Sequence, residues 1–331
     1  MNHNKYIKKA LNIFIPIVLG GGILYWMYRG FDFRAMEHTL TDEMNWGWMI
    51  FSMVFGITAQ LFRGLRWRQT LEPLGEHPST MDCIHAVFIS YASSLIIPRS
   101  GELARCGVLS KYDGTSFSKA LGTVVTERII DSLLILLITA LVILSQIGVF
   151  SRFFDATGTN IEDTLRGFTA TGYLVTALCG IITIAFMLYA IRRFAFMAKL
   201  RQKVDNVKDG IMSLKDVSNK PLFTFYTLAI WLSYFIHYWM TFLCFDFMAP
   251  LGFTAAIVSF IVGSISVIVP TPNGAGPWHF AVKTILILYG IADTDAVTFV
   301  LIVHTLQTAL VPLLGAFSLI CLAAKKERAK S

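Results

Sequence analysis

Residues 97–105 read Ile-Pro-Arg-Ser-Gly-Glu-Leu-Ala-Arg and end an apolar run that extends from about 81 to 97. Proline lacks an N–H and clashes with the preceding turn, so a helix ends before Pro98. Gly101 then permits a reversal of the chain. The pattern predicts a broken helical hairpin over 81–118, with Pro98 and Gly101 as its hinge.

A second interruption has the same character. Residues 269–279 read Val-Pro-Thr-Pro-Asn-Gly-Ala-Gly-Pro-Trp-His and predict another hairpin over 254–290. Its hinge residues are Pro270, Pro272, Gly274 and Gly276. Backbone groups freed at such turns cannot face lipid, so they are shielded by protein or line a wet cavity. A helix that starts after the turn directs its N–H groups into that cavity, which favours an anion.

The composition indicates a membrane protein. Of 331 residues, 55% are hydrophobic and 15% charged, and the mean hydropathy is +0.62. Soluble domains carry about 25% charged residues. Apolar runs are long enough to cross about 30 Å of hydrocarbon, and they lie near 11–28, 47–66, 81–97, 119–146, 169–191, 222–248, 254–270, 277–290 and 297–322.

Charge orients these segments. The net charge of +7 is concentrated in flanking loops, which argues against nucleic acid as a partner and follows the positive-inside bias. The Lys-rich loop 192–220 and both termini are expected in the cytoplasm. Within that loop, apolar residues recur every three or four positions, which predicts an amphipathic surface helix over about 196–217.

These orientations are compatible only if each broken hairpin enters and returns on one side. The sequence therefore predicts an all-α polytopic membrane protein with about six full transmembrane helices and two broken or re-entrant hairpins. The chain is one membrane domain (1–331) with repeat-like units at about 47–146 and 222–322, the second inverted relative to the first. Inverted repeats with interrupted segments are typical of transporters. Whether the hairpins are re-entrant or fully spanning stays open.

The first break carries candidate substrate-binding residues. Arg99 and Arg105 suit a lipid phosphate, because guanidinium groups form charge-assisted hydrogen bonds with it. Glu102 suits either an arginine partner or a cationic headgroup. The alternative is an ion-pair cluster that only stabilises the turn. At the second break the polar candidates are Asn273, His279 and Lys283.

A third candidate group lies inside the 119–146 segment. Glu127 and Asp131 are four residues apart and share a helix face, with Arg128 turned away. Charge at this depth is costly and is usually functional or paired. We expect a buried network that reaches Arg99 or Arg105, either as a structural lock or as a moving gate.

Other polar residues receive simpler interpretations. Arg63, Arg66 and Arg68 are predicted to anchor the end of a crossing with snorkelling side chains. His237, His304 and Gln307 are predicted to form core hydrogen bonds. The five cysteines form no CxxC pair, and no catalytic or metal-binding motif is recognisable. We therefore expect no catalytic residue, no metal and no cofactor, and a protein that is not an enzyme.

Residues 98–136 and 270–282 resemble two signatures of the lysylphosphatidylglycerol synthase/flippase transmembrane-region family. The first is Pro-x-x-Gly-Glu-x-x-Arg followed by Glu-Arg-x-x-Asp, and the second is Pro-x-Pro-Gly-Gly-x-Gly. The chain is similar to a stand-alone member, related to the flippase-like membrane half of the multiple peptide resistance factor. Two positions depart from the pattern: Asn273 replaces the first glycine of the pair, and His279 stands where many members carry Glu. The resemblance includes no synthase domain, so we do not expect this chain to make lysyl-lipid.

The resemblance implies a lipid translocase that moves a polar-headgroup lipid between leaflets. The lipid would be a phospholipid, an aminoacyl-phospholipid or a polyprenyl-linked lipid. The alternatives are a membrane enzyme that modifies lipid phosphates or glycolipids, with Glu127 or His279 as acid and base, and a non-transporting partner of an envelope-lipid synthase. Homo-oligomer formation and a separate synthase partner stay open. The family implies a bacterial cytoplasmic membrane.

Overall fold

The computed structural model describes residues 18, 20–29, 31, 33–98, 100–148, 209, 212–269 and 271–328. These residues form helices, turns and short connections, with no strand among them. The helices are α1 (20–28), α2 (Phe33–His38), α3 (Trp46–Leu71), α4 (Thr80–Ile96), α5 (Gly101–Tyr112), α6 (Phe117–Ser145), α7 (Lys220–Trp239), α8 (Phe253–Ser266), α9 (Pro277–Leu288) and α10 (Asp293–Arg328). Short 3-10 or π turns occupy Thr39–Glu43, Glu72–Leu74, Ser213–Asp216, Met240–Cys244, Asp246–Met248 and Pro272–Gly274.

Four helical stretches in the described part are long and apolar enough to cross a membrane. They are Trp46–Leu74, Phe117–Ser145, Lys220–Cys244 and Asp293–Arg328. Each contains or closely matches one of the predicted crossings, which confirms an all-α polytopic membrane protein. The crossing at 169–191, the first part of the one at 11–28 and most of the amphipathic helix at 196–217 lie outside the described residues, as do Arg99 and Pro270.

Side-chain caps fix where three of the core helices begin. The side chains of Asn45, Ser79 and Asn219 accept hydrogen bonds from the backbone N–H groups of the first turns of α3, α4 and α7. Such caps satisfy donors that have no partner within the helix. The local sequence thus sets where these three helices begin.

Both predicted breaks are present. The first separates α4 from α5 at residues 97–100, and the second separates α8 from α9 at residues 267–276. The helices of each hairpin pack against one another. That the two hairpins are re-entrant in the membrane stays a prediction.

The two units pack with their first helices antiparallel. Near the start of α3, the Ser52 carbonyl lies 2.7 Å from Nδ1 of His237, which is near the end of α7. Near the end of α3, Nη1 of Arg66 lies 3.2 Å from Oγ1 of Thr227 near the start of α7. The first helix of each hairpin also contacts the last helix of the other unit: α4 contacts α10, and α8 contacts α6. These contacts stay the same when the two predicted units are exchanged, and the inverted repeat itself stays a prediction.

Candidate functional site

Two arginines of α3 bind one carboxylate of α6. Nη1 of Arg63 lies 2.7 Å from Oδ2 of Asp131, and Nη1 of Arg66 lies 2.8 Å from Oδ1. All three residues are buried. The prediction that Arg63 and Arg66 snorkel as membrane-surface anchors is therefore wrong, because both guanidinium groups point into the protein. Arg68 differs, with a side chain that is 44% exposed.

A second buried pair extends this network to the first hairpin. Nη2 of Arg105 donates to Oε2 of Glu127 at 2.7 Å, and Nε of Arg66 lies 3.5 Å from the other carboxylate oxygen. The Arg105 guanidinium also stacks over the Trp67 ring at 4.6 Å, an arrangement that stabilises a cation. The structure thus contains the expected contact between the Glu127 helix and Arg105.

The third pair is looser and more exposed. Nε of Arg128 lies 3.6 Å from Glu102, and its Nη1 lies 3.9 Å from Asp131. The Arg128 and Glu102 side chains are 42% and 37% exposed. Nε of Arg128 is buried and has no hydrogen-bond partner among the described residues. Arg128 is therefore held by charge rather than by directed hydrogen bonds.

The charges of the described cluster do not balance. Four arginines face three carboxylates, namely Arg63, Arg66, Arg105 and Arg128 with Glu102, Glu127 and Asp131. Unpaired charge is expensive inside a membrane protein. The remaining positive charge favours an anion next to the cluster.

The first break depends on a glycine at a close helix contact. A Cβ at Gly101 would lie 2.7 Å from Oγ of Ser90 and would overlap the Ser90 carbonyl oxygen. The Gly101 N–H donates to Oγ of Ser94 at 3.2 Å. The absence of a side chain thus lets α5 start directly against α4, as the predicted hinge role of Gly101 requires. α4 in turn contacts the Pro272–Gly274 turn of the second break.

The second break uses three left-handed residues. Asn273, Gly274 and Gly276 have φ values of 51°, 74° and 92°. Outside glycine, asparagine is among the residues that best tolerate this region, so Asn273 satisfies the backbone requirement of the glycine it replaces. Its Nδ2 donates to Oγ1 of Thr308 at 2.6 Å, and Nε2 of His304 lies 3.1 Å from its carbonyl oxygen. Both contacts attach the break to α10.

His279 and Lys283 have separate environments. Nδ1 of His279 accepts a hydrogen bond from the Gly276 N–H at 3.3 Å, and its buried ring packs on His304 with centroids 4.4 Å apart. Lys283 lies 2.7 Å from Asp293 and lines a cavity of about 310 Å³ with residues of α1. His279 therefore caps α9, and Lys283 joins α9 to the start of α10.

The charged cluster borders a larger cavity between the two units. This central cavity measures about 470 Å³. Its lining residues are Arg63, Tyr91, Arg128, Asp131, Ser132, Ile135, Trp231, Tyr234, His237, Tyr238, Phe260, Ser264, Val267, Asn273, Trp278, His304, Gln307 and Thr308. Of the predicted site residues, Arg128, Asp131 and Asn273 lie here. Glu102, Arg105, Glu127, His279 and Lys283 do not line this cavity in the described part of the chain.

A groove on α6 meets the central cavity. It measures about 580 Å³ and is lined by Glu102, Leu121, Val124, Val125, Arg128, Ile129, Ser132 and Leu133. Arg128 and Ser132 line both spaces. A cavity that many polar side chains line thus adjoins a groove lined mainly by aliphatic side chains, and the two spaces meet at Arg128.

His237, His304 and Gln307 form the predicted core hydrogen bonds. His237 contacts the Ser52 carbonyl, and Nε2 of Gln307 donates to the His237 carbonyl at 3.3 Å. The same three side chains line the central cavity. The sequence alone does not predict that second location, because a hydrogen-bonded residue within a crossing gives no sign of which helix face borders a cavity.

These features define a multi-pass helical membrane protein with a cavity that polar side chains of both predicted units line. Residues 13–315 match the family model for the lysylphosphatidylglycerol synthase TM region, and the chain belongs to that family. No curated protein and no solved structure matched the chain in the same comparison.

Proposed function

We propose that this protein is a lipid translocase that moves a polar-headgroup lipid between membrane leaflets. The observation that carries the proposal is the junction at Arg128, where the central cavity meets the α6 groove. A lipid needs both environments at once, a polar space for its headgroup and an apolar surface for its acyl chains. Family membership supports a role in membrane lipid biology.

The relation between the two units supports alternating access. α3 and α7 are antiparallel, and helices of both units line the central cavity. Inverted repeats commonly enclose a substrate site and expose it to each side in turn by moving against one another. In this mechanism the headgroup occupies the central cavity while the acyl chains stay in the α6 groove and the bilayer.

We also propose that the lipid leaves chemically unchanged. Proton transfer needs a group that can gain and lose a proton near the reacting atom. Arginines hold Glu127 and Asp131 in buried ion pairs, and Nδ1 of His279 is engaged by the Gly276 N–H. These surroundings make the three residues poor acid–base catalysts.

The proposal places the protein in the bacterial cytoplasmic membrane with both termini in the cytoplasm. Its partners would be membrane lipids, and a separate enzyme would synthesise the transported lipid. Protease protection of tags on each terminus, in oriented membrane vesicles, tests this orientation.

The function is tested by leaflet exchange in proteoliposomes. Fluorescent phospholipid reporters are bleached from the outside, and the unbleached fraction measures the lipid that has not exchanged. We expect faster exchange with the protein, loss of that gain in Arg128→Gln, and no change in Arg68→Gln, whose side chain lies outside the cavity. Mass spectrometry of the recovered lipid checks that it is unaltered. Equal exchange with and without protein, across phospholipid and polyprenyl reporters, would contradict the proposal.

A further inference from the structure

We infer that the central cavity selects an anionic, oxygen-rich headgroup, a phosphate that carries uncharged hydroxyl groups such as glycerol or a sugar, and disfavours a headgroup with a free amine. The inference rests on the proposed function and specifies its substrate class. It distinguishes among lipids that the family resemblance leaves open, because an aminoacylated lipid carries an amine and a glycerol or glycosyl phosphate does not.

The carboxylate that an amine would need is already occupied. Asp131 is the only carboxylate among the described residues that line the cavity. Its two oxygens bind Arg63 and Arg66 at 2.7 and 2.8 Å. An ammonium group entering the cavity would meet the guanidinium groups of Arg63 and Arg128 without a free anion to offset their repulsion.

Three residues at the cavity wall have a buried donor without a hydrogen-bond partner in the described part of the protein. The donors are Nε of Arg63, Nε of Arg128 and Nε1 of Trp231. All three groups donate hydrogen bonds and cannot accept them, and a buried donor without an acceptor costs free energy. A ligand that presents oxygen acceptors can satisfy such donors, whereas an ammonium group, which only donates, satisfies none of them. The positive charge that remains in the arginine cluster has the same preference.

Another part of the cavity lining is neutral and rich in hydrogen-bonding groups. Nδ2 of Asn273 donates to Thr308, the Thr308 hydroxyl lies 3.5 Å from Nδ1 of His304, and Nε2 of His304 lies 3.1 Å from the Asn273 carbonyl. This chain is consistent when His304 is neutral, with its proton on Nε2. Uncharged amide, hydroxyl and imidazole groups complement the hydroxyls of a glycerol or sugar.

Aromatic rings also line the central cavity. Trp231, Tyr234 and Trp278 line the cavity, and ring faces of this kind pack against the C–H surfaces of a polyol. A cavity of about 470 Å³ falls within the range of about 300–1,000 Å³ that is usual for small-molecule sites. That volume accommodates a headgroup while the acyl chains remain in the α6 groove.

Binding of short-chain lipids tests the inference separately from transport. The purified full chain in detergent is titrated with dioctanoyl phosphatidylglycerol, dioctanoyl phosphatidylinositol and dioctanoyl lysylphosphatidylglycerol, and binding is followed by native mass spectrometry. We expect the two amine-free lipids to bind at least about tenfold more tightly, the scale of one charge-assisted hydrogen bond. Arg128→Gln should abolish that preference, and Trp231→Phe, which keeps a ring but removes the donor, should weaken binding of both amine-free lipids. Arg68→Gln should bind as the unmodified protein does.

The outcomes separate the two proposals. Equal or tighter binding of lysylphosphatidylglycerol would overturn the headgroup preference, even where leaflet exchange shows that the protein is a translocase. Tighter binding of the amine-free lipids, with no exchange of any reporter, would support the preference and defeat the translocase. A preference that survives in Arg128→Gln would overturn the assignment of the anion site to this residue.

Discussion

The Arg63 guanidinium meets the Asp131 carboxylate at 2.7 Å, although the two residues are 68 positions apart in the chain. Their side chains are 3% and 7% exposed. The contact joins α3 to α6 at the wall of the central cavity, and Arg66 occupies the second Asp131 oxygen. The carboxylate therefore holds both arginines of α3, and it positions Arg63 beside the space in which we place the headgroup.

Removal of the Asp131 charge should strongly destabilise the protein. Asp131→Asn leaves the guanidinium groups of Arg63 and Arg66 buried without their principal anion, a change that costs about 3–5 kcal/mol in other proteins. Unfolding in detergent micelles, followed by heat or denaturant, measures the effect. The control is Glu72→Gln, which breaks the half-exposed Arg68–Glu72 pair at 3.3 Å and should cost at most about 1 kcal/mol. Equal losses in the two variants would contradict the buried network.

Replacement of two glycines in α5 by alanine should have different effects on the stability of the protein. Gly101→Ala places Cβ against the Ser90 carbonyl oxygen and 2.7 Å from Oγ of Ser90, so α5 must shift away from α4 and the unfolding temperature should fall. At Gly107 a Cβ would meet nothing within 4 Å, and alanine is preferred in a helix by about 0.5–1 kcal/mol. Gly107→Ala should therefore be neutral or stabilising. Matching losses at both positions would refute the close contact at the first break.

The left-handed backbone of Asn273 should make glycine the better replacement. Asn273→Gly loses the hydrogen bond to Thr308 but keeps φ near 51° without strain. Asn273→Ala loses the same hydrogen bond and adds about 1–2 kcal/mol of backbone strain. The alanine variant should therefore unfold at a lower temperature than the glycine variant. The reverse order would show that the second break has a different backbone.

His279 should act through the helix cap rather than through the lipid. His279→Gln retains an acceptor for the Gly276 N–H, as in a capping box, and it leaves the residues that line the central cavity unchanged. It should bind dioctanoyl phosphatidylglycerol as the unmodified protein does, whereas His279→Leu loses the cap and should be less stable. If the His279→Gln protein is normally stable but binds the lipid more weakly, His279 contributes to lipid binding, and the assignment to the helix cap alone is wrong.

The sequence predicts the helical framework and both breaks because each depends on local chemistry. Apolar length defines the four crossings in the described part, and proline with glycine defines residues 97–101 and 270–276. The sequence also predicts the contact between Glu127 and Arg105, because two carboxylates at i and i+4 inside an apolar helix require buried cations. Asn273 is a further example of a local effect. It stands where the family pattern has glycine, and asparagine also tolerates the left-handed conformation that this position requires.

The partners of Asp131 could not be identified in this way. Arg63 and Arg66 follow an apolar run, and a snorkelling anchor has the same local pattern as a buried arginine. One feature favours the buried interpretation. Arg63 and Arg66 are three residues apart and share a helix face, and Glu127 and Asp131 likewise share a face of α6. The central cavity depends on how seven helices pack around it. The local sequence therefore predicts neither that Trp231 lies at the cavity wall nor that its indole N–H has no hydrogen-bond acceptor in the described part of the chain.

The proposed mechanism requires that water and a polar headgroup reach the central cavity between the two predicted units. The most direct test is labelling of a cysteine at Ser264, which lines that cavity, with a small charged thiol reagent in native membranes. Leu136→Cys is the control, because Leu136 is 62% exposed on the apolar surface of α6, and the unmodified chain gives the background from native cysteines. We predict rapid labelling of Ser264→Cys that dioctanoyl phosphatidylglycerol slows, and little labelling of Leu136→Cys. Labelling of Ser264→Cys no faster than that of Leu136→Cys would contradict the account.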